Sequence, residues 1–367
     1  MSPFTPASMP LLLDPSRFRG EIDGVTVGLH TLRNSQGMVA CISNYGAKIE
    51  QLIVPDRQGL LADVVLGYDS LQAAVDGSPS MGAFIGRYAG RIGGAGFTLN
   101  GTRYNLSADN GPHCLHGGVR GSRFRVFDAV QRNVSSVEMN YVFADGEEGF
   151  PGTLALRLIY SLTEQNELVL DYEATALEKP TVASFTTHAF FNLNGEFANE
   201  QARSVIGHEV MICADSYFTM TDELVATGGI EPVENTALDF RQPTVLSTRV
   251  GKVIAGYDGC YLVNRPAGLC LSLAARVAAP ANGDVMGRAM EVWSTEPALQ
   301  FYTGLQASEP LAGGLGKGGV RYLQQQSFCL EPQGYPNAPN CPAFESSIYQ
   351  PGQSRAGKTV YRFSHTV

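Results

Sequence analysis

The chain has 367 residues and a net charge of −9, and its 26 lysines and arginines form no basic run. This balance argues against a nucleic acid or an anionic membrane surface as the main partner. Hydrophobic residues make up 44% of the chain and charged residues 17%, which is ordinary for a globular protein that buries a large core.

The N-terminal residues 1–18 contain one short apolar patch, MPLLL, with no basic region before it. We expect neither a signal peptide nor a membrane span there. We interpret residues 1–18 as a loosely held arm that precedes a single domain over 19–367. Seven cysteines without a CxxC pair indicate reduced thiols rather than a disulfide framework, so a cytoplasmic location is expected.

Strand patterns dominate the rest of the chain. The best helical candidate, YDSLQAAVDG over 68–77, is short. Hydrophobic and polar residues alternate, between turn-forming residues, over 137–143, 154–162, 168–175, 270–277, 289–295, 298–304 and 359–365. Such alternation with β-branched and aromatic residues is typical of strands. We therefore predict an all-β fold, a large antiparallel β-sandwich of two twisted sheets.

The first segment whose residues could bind a ligand is GRYAGRIGGAGFTLNG, which contains Arg87 and Arg91 in a glycine-rich run. Glycines let a backbone approach a ligand closely, and arginine offers a rigid fork of hydrogen-bond donors. The segment lacks the GK[ST] ending of a phosphate-binding loop, so nucleotide binding is not predicted. A β-bulge with solvated arginines fits the same residues equally well.

The segment NGPHCLHGG sets His113 and His116 around Cys114. Spacing by three would join two metal ligands on a helix, but the flanking Gly and Pro residues oppose a helix, and in extended chain the two side chains point to opposite faces. We therefore predict no metal site here. Neighbouring residues also point apart, which disfavours a Cys/His nucleophile. His116 is better interpreted as a hydrogen-bond donor presented by a glycine turn.

The segment ASFTTHAFFNLNG places Thr186, His188 and Phe190 on one face of an extended chain. A histidine flanked by aromatic residues in a strand is often a buried structural residue. Its ordinary pKa near neutrality nevertheless makes His188 the first candidate for proton transfer.

In SFCLEPQ, alternation places Glu331 and Gln333 on one face, opposite Leu330. Glu331 is either the first exposed residue after the strand or a rigidly held carboxylate suited to act as a catalytic base. Two further polar residues interrupt apolar context: Asp258 in AGYDGCYLV and Gln300 in ALQFYTG.

Seven motifs in order carry a family resemblance: GRYAGRI, GPHCLHGG, THAFFNLNG, GYDGCYLV, LQFYTG, GKGGVRY and LEPQGYPNAPN. Together they resemble the aldose 1-epimerase family, also called galactose mutarotases, and flanking segments extend the match over nearly the whole chain after the arm. Each motif is weak alone, whereas the ordered set is highly specific. The resemblance implies the galactose mutarotase-like supersandwich with a sugar-binding cleft.

The resemblance also implies the activity, which is interconversion of the α and β anomers of free aldoses without metal or cofactor. Glu331 would be the base that takes the proton from the C1 hydroxyl, and His188 the acid that protonates the ring oxygen. The substrate-binding positions of the family are matched by Arg91, His116, Asp258 and Gln300. The expected partner is a monosaccharide, and the chain is expected to be a monomer or a weak dimer.

The chain departs from the usual family pattern at five positions: Gly90, Thr187, Gly259, Leu305 and Gly334. These changes would affect substrate preference more than reaction type. Two alternatives share the fold: a non-catalytic sugar-binding protein and a hexose-6-phosphate 1-epimerase, which needs additional cationic groups for the phosphate. A glycosidase would need two carboxylates astride the bond, which a His/Glu pair does not supply.

Overall fold

The computed structural model describes residues 10–78, 80–196, 204–250, 256–266, 270–280, 287–304 and 314–365. Within these residues the strands of the first half are β1 (Gly20–Ile22), β2 (Val25–Val27), β3 (Leu29–Arg33), β4 (Val39–Ser43), β5 (Lys48–Pro55), β6 (Leu61–Asp63), β7 (Phe84–Ile85), β8 (Arg91–Ile92), β9 (Gly96–Leu99), β10 (Thr102–Asn105), β11 (Cys114–Leu115), β12 (Asp128–Asn133), β13 (Ser136–Phe143), β14 (Leu154–Leu162), β15 (Glu167–Ala176), β16 (Thr181–Val182) and β17 (Thr186–Thr187).

The second half adds strands β18 (Glu209–Ile212), β19 (Ser216–Met220), β20 (Ala226–Pro232), β21 (Thr244–Val245), β22 (Asp258–Leu262), β23 (Ser272–Ala278), β24 (Arg288–Ser294), β25 (Ala298–Tyr302), β26 (Cys329–Gln333), β27 (Ile348–Tyr349) and β28 (Ser354–His365). The α-helices of the described residues are α1 (Leu71–Asp76) and α2 (Ser247–Val250). Single 3₁₀ turns lie at Pro15–Phe18, Gly93–Ala95, Ser122–Phe124, Glu147–Gly149, Val205–Gly207, Lys317–Gly319 and Ala338–Asn340. In the described part of the chain, none of the helices has the length and apolar character that a membrane crossing requires.

The largest sheet of the described residues has nine strands in the order β12-β13-β14-β15-β28-β24-β23-β18-β21, all paired antiparallel. A five-stranded sheet follows the order β20-β19-β22-β25-β26, and a four-stranded sheet the order β3-β4-β5-β6. Strands β13, β14 and β15 agree with the alternation over 137–143, 154–162 and 168–175. The predicted all-β antiparallel fold is therefore confirmed.

One hydrophobic core joins the three sheets. It contains Leu158 from β14, Leu52 from β5 and Phe301 from β25, all fully buried. In β14 alternate residues face this core, whereas Arg157 between them is exposed. The hydroxyl of Tyr361 in β28 donates to the carbonyl of Leu330 in β26 at 3.2 Å. This contact fixes the large sheet against the back of the strand that carries Glu331.

The predicted helix within 68–77 is confirmed: it is α1, which is about one and a half turns long. It begins where the Ser70 hydroxyl accepts a hydrogen bond from the Ala73 N–H at 3.2 Å, which caps an otherwise unpaired donor. It ends at Gly77, the residue after Asp76.

Residues 10–18, the described part of the predicted arm, pack against the four-stranded sheet. Gln51 of β5 accepts a hydrogen bond from the Leu13 N–H and donates one to the Leu11 carbonyl, both at 3.1 Å. Phe18 is fully buried. These contacts attach the described part of the arm to the four-stranded sheet. The domain boundary at residue 18 stays a prediction.

Candidate active site

Three neighbouring strands, β22, β25 and β26, place polar side chains on one face of the five-stranded sheet. Gln300 lies directly opposite Glu331, and Asp258 lies directly opposite Tyr302. Directly opposed residues of antiparallel strands project to the same side. The register therefore gathers residues that are up to 73 positions apart in sequence, between Asp258 and Glu331.

His188 comes to this face from a different direction, immediately after β17. Its backbone N–H donates to the Ala83 carbonyl at 2.8 Å, and its carbonyl accepts from the Gly82 N–H at 3.0 Å. Its ring stacks on Phe190 with centroids 4.9 Å apart. Its Nε2 lies 3.5 Å from Oε1 of Glu331. The backbone bonds and the stacking hold the imidazole rigidly beside the carboxyl group.

The glycine-rich segment contributes Arg91, and the segment NGPHCLHGG contributes His116 beside it through the pairing of β8 with β11. His116 follows β11 in a left-handed backbone conformation, with φ of 55°. Its Nδ1 accepts a hydrogen bond from the Gly90 N–H at 3.2 Å, so a neutral ring carries its proton on Nε2. Arg91 is oriented by a 2.8 Å hydrogen bond from its Nε to Oδ1 of Asn110.

A cavity of about 300 Å³ lies over this face, at the small end of the range for ligand pockets. Its lining includes every site residue predicted from sequence: Arg91, His116, His188, Asp258, Gln300 and Glu331. Sequence reasoning did not assign a site role to other lining residues, which include Phe190, Met220, Leu224, Tyr302 and Gln333. Alternation with Glu331 was a usable signal for Gln333. No pattern identified Met220 and Leu224, which come from the β19–β20 hairpin.

The cavity favours neutral forms of its titratable groups. Burial raises the pKa of Glu331 well above its ordinary value, and the nearby Asp258 carboxylate acts in the same direction. Burial also raises the pKa of Asp258, although Arg91 and a 2.5 Å hydrogen bond from Gln300 oppose that rise. Burial lowers the pKa of His188 to about 4. It lowers the pKa of His116 well below its ordinary value, and the neighbouring His188 adds to this effect.

Because burial raises the pKa of Glu331 and lowers that of His188, a proton shared by the pair can reside on either group. A protonated carboxyl beside a neutral imidazole and a carboxylate beside an imidazolium contain the same number of protons. The two forms interconvert without exchange with solvent, since the groups are 3.5 Å apart. The pair can therefore deliver one proton and accept another within the cavity.

Comparison with known proteins gives the site its family context. The profile of the family described as Aldose 1-epimerase matches residues 28–362. The chain belongs to the aldose 1-epimerase family. It is 38% identical to a galactose mutarotase of Bos taurus over 344 residues, 92% of this chain and 94% of that protein. It is 31% identical to an aldose 1-epimerase of Escherichia coli over 359 residues, 93% of this chain and 96% of that protein.

Solved structures of aldose 1-epimerases agree with the fold. A GalM/aldose epimerase homologue from C. elegans aligns with a TM-score of 0.83 and 27% identity, covering 93% of this chain and all of that one. A galactose 1-epimerase from Lactobacillus acidophilus aligns with a TM-score of 0.78 over 95% of this chain and 97% of that one; at 22% identity it supports the fold alone. The family and the isomerase class predicted from the sequence are thereby confirmed.

The departures from the usual aldose 1-epimerase pattern differ in their distance from the cavity. Gly90 lines the cavity, and a Cβ added there would lie 3.7 Å from Nε2 of Gln333. Cβ atoms added at Gly259 and Gly334 would instead meet Leu238 and Ser184. Thr187 is buried and does not line the cavity. Leu305 lies outside the described residues. Among the departures that the structure describes, Gly90 is therefore the one that lies in the wall of the cavity.

Arg87 and two further arginines, Arg120 and Arg123, are engaged away from the cavity. Arg87 is buried and donates to the carbonyls of Pro151 and Gly152. Arg123 pairs with Asp109 at 2.6 Å. Arg120 pairs with Asp23. Among the described residues, Arg91 is therefore the arginine that lines the aldose 1-epimerase cavity.

The structure also separates the two histidines around Cys114. His113 Nε2 lies 3.0 Å from the Glu223 carboxylate, and its Nδ1 accepts from the Gly94 N–H. His116 lines the cavity instead. The separation agrees with the interpretation that these residues do not act together as a metal pair.

Proposed function

We propose that this protein interconverts the α and β anomers of free aldohexoses such as galactose and glucose, with Glu331 as general base and His188 as general acid. The observation that carries the proposal is the 3.5 Å approach of Nε2 of His188 to Oε1 of Glu331. Their side chains are only 10% and 3% exposed, yet both line the cavity. Strongly perturbed ionisable groups in a cavity are typical of acid/base catalysts.

The reaction begins with the Glu331 carboxylate and the His188 imidazolium facing the cyclic sugar. Glu331 removes the proton from the C1 hydroxyl, the C1–O5 bond breaks as the C1 carbonyl forms, and His188 gives its proton to O5. The open-chain aldehyde then faces a protonated Glu331 and a neutral His188, which are the forms that burial favours. Burial therefore disfavours the ionised pair that starts the reaction and favours the neutral pair that accompanies the open-chain aldehyde.

Rotation about the C1–C2 bond presents the other face of the carbonyl to the O5 hydroxyl. O5 attacks C1 while His188 takes the O5 proton and Glu331 returns a proton to O1. This restores the carboxylate and the imidazolium and yields the opposite anomer. Each proton removed is replaced, so these steps require no metal or redox cofactor.

Four residues are proposed to bind the sugar: Arg91, His116, Asp258 and Gln300. Sugar hydroxyls both donate and accept hydrogen bonds, so a site needs cationic donors beside carboxylate acceptors. The neutral His116 would donate through Nε2, because its Nδ1 is occupied by the Gly90 N–H. Asp258 would accept from the sugar with its position fixed by the Gln300 amide.

The engaged arginines favour a free sugar over a hexose 6-phosphate. A phosphate carries up to two negative charges and is usually met by several cationic donors. Arg87, Arg120 and Arg123 are paired elsewhere in the described structure. A non-catalytic sugar-binding protein would have no requirement for the buried His188 and Glu331 pair.

We also propose a cytoplasmic setting and a monomeric or weakly dimeric state. The cytoplasmic setting is supported by the seven cysteines, all free thiols in the structure. Free thiols suit a reducing compartment. The oligomeric state is tested by sedimentation over a range of protein concentrations, where a molecular mass that stays at two or more chains at the lowest concentration would contradict it.

The test of function is polarimetry on freshly dissolved α-D-galactose and α-D-glucose, with and without purified protein. The expected result is faster relaxation to an unchanged equilibrium rotation. Galactose 6-phosphate and glucose 6-phosphate, in parallel, test the phosphorylated alternative. Acceleration with the phosphates alone would overturn the free-sugar proposal, and no acceleration with any aldose would overturn the enzymatic one.

A further inference from the structure

A third potential metal ligand lies beside the proposed acid and base. Cys329 precedes Glu331 by two residues in β26, so their side chains share one face of the strand. A ring nitrogen of His188, the sulfur of Cys329 and a carboxylate oxygen of Glu331 all lie within 4.8 Å of one another. Two ligands spaced by two on one strand, with a third from another segment, are an arrangement that can surround a single ion.

The distances are close to those of a tetrahedral zinc centre. With zinc–ligand bonds of about 2.0–2.3 Å, ligand atoms lie roughly 3.3–3.7 Å apart. The 3.5 Å separation of His188 Nε2 from Glu331 Oε1 already falls in this range. The remaining separations are at most 4.8 Å, so closing the three ligands on a zinc ion would shorten the longest of them by up to roughly 1–1.5 Å.

The types of donor atom select the class of metal. Imidazole nitrogen, thiolate sulfur and carboxylate oxygen together suit zinc, whereas magnesium and calcium prefer oxygen ligands alone. Cys329 is fully buried, and His188 and Glu331 are nearly so. Because His188 and Glu331 also line the cavity, a metal bound here would keep its fourth position on the side from which a sugar or water approaches.

We propose that His188, Cys329 and Glu331 form a zinc-binding site, and that zinc bound there inhibits the enzyme by occupying both catalytic groups. Binding forms bonds from zinc to a His188 nitrogen, the Cys329 sulfur and a Glu331 oxygen. The thiol proton and the proton held by the His188 and Glu331 pair leave to solvent. Zinc and sugar therefore compete, and zinc is an inhibitor of this reaction rather than a participant in it.

The binding test uses cobalt(II), a spectroscopic substitute for zinc, added to the chelator-treated full-length protein. A cobalt–thiolate bond gives a near-ultraviolet charge-transfer band. We expect this band in the wild-type protein, its loss on addition of zinc, and its loss in Cys329→Ser and in Cys329→Ala. Two variants are used because a hydroxyl in this buried position could impair folding, and each is first checked by its cooperative thermal unfolding.

Cys260 provides the matched control. It is also fully buried, and it lies on the same face of the five-stranded sheet, opposite Gln300, but outside the three-residue cluster. Cys260→Ser should keep the cobalt band. Absence of the band in wild-type protein would overturn the proposal, as would its persistence in folded Cys329 variants or its loss only in Cys260→Ser.

The inhibition test rests on the proposed function, whereas the cobalt test does not. Zinc should raise the apparent KM of wild-type protein for galactose, and loss of the sulfur ligand should weaken this inhibition by at least ~10-fold relative to each variant's own basal rate. Equal inhibition of wild type and Cys329→Ala would overturn the assignment of this site. Wild-type protein that binds cobalt through a thiolate but accelerates no mutarotation would instead overturn only the proposed function.

Discussion

Nε2 of His188 approaches Oε1 of Glu331 to 3.5 Å, although the two residues are 143 positions apart in the sequence. Glu331 is held in place by strand β26, which pairs with β25 between the core and the cavity. His188 is held in place by backbone hydrogen bonds to Gly82 and Ala83. Neither group is free to move away from the other. A preorganised pair of this kind needs little rearrangement before proton transfer.

Glu331→Gln should fold normally and lose nearly all activity. The amide retains the shape of the side chain but does not accept the C1 proton, so kcat should fall by about 10²–10⁴-fold. Polarimetric kinetics measure the loss, and calorimetric titration with galactose tests whether binding survives. Retention of more than a tenth of the wild-type kcat would move the general base to another residue.

Asp258→Asn should shift the pH profile of kcat/KM. The wild-type profile should fall at low pH as His188, with its pKa lowered to about 4, takes a second proton and the pair contains no base. It should fall at high pH as the pair loses its one proton. The Asp258 carboxylate raises the pKa of Glu331, so its removal lowers that pKa, and the high-pH limb should move to lower pH. An unchanged high-pH limb would show that Asp258 does not act on the pair.

Gln333→Leu should weaken sugar binding. Gly90 has no side chain to cover the Gln333 amide, and both residues line the cavity. Loss of one hydrogen bond of about 1.4 kcal/mol corresponds to a KM increase of about tenfold, with a smaller change in kcat. Initial rates over a range of galactose concentrations separate the two constants. Gln131→Leu, on the exposed strand β12, is the control and should match wild type; equal KM values in all three proteins would remove Gln333 from the substrate site.

His208→Phe should reduce the acid dependence of stability; the part that remains comes from His188 and His116, whose pKa values burial also lowers. His208 is fully buried beside Phe328, and burial lowers its pKa to about 4 from an ordinary 6.5. Between these values the unfolded chain binds the extra proton, so the stabilisation present above pH 6.5 is lost as the pH falls towards 4. The loss is about 3 kcal/mol or less.

Urea unfolding of wild type and His208→Phe at several pH values between 4 and 7 gives the two slopes. His365→Gln, at an exposed position in β28, is the control and should retain the wild-type slope. A variant slope equal to that of wild type would show that His208 is not responsible for the acid sensitivity.

The sequence by itself determined the local structure and the family. Alternation predicted β13, β14 and β15 because successive strand residues face opposite sides of a sheet, and this period is independent of the rest of the chain. The same rule placed Gln333 on the face of Glu331, and it separated His113 from His116, as the structure does. The ordered motifs identified the aldose 1-epimerase family, which the comparisons confirm.

Only the tertiary structure decided which polar residues meet. Arg87 and Arg91 have the same glycine-rich surroundings in sequence, yet Arg87 donates to buried carbonyls and Arg91 lines the cavity. Nothing in the sequence distinguishes Cys329 from the other buried cysteines, and its position beside His188 is visible only in the structure. Burial and long-range distance depend on the register and packing of strands that are remote in sequence, and a local period contains no information about them.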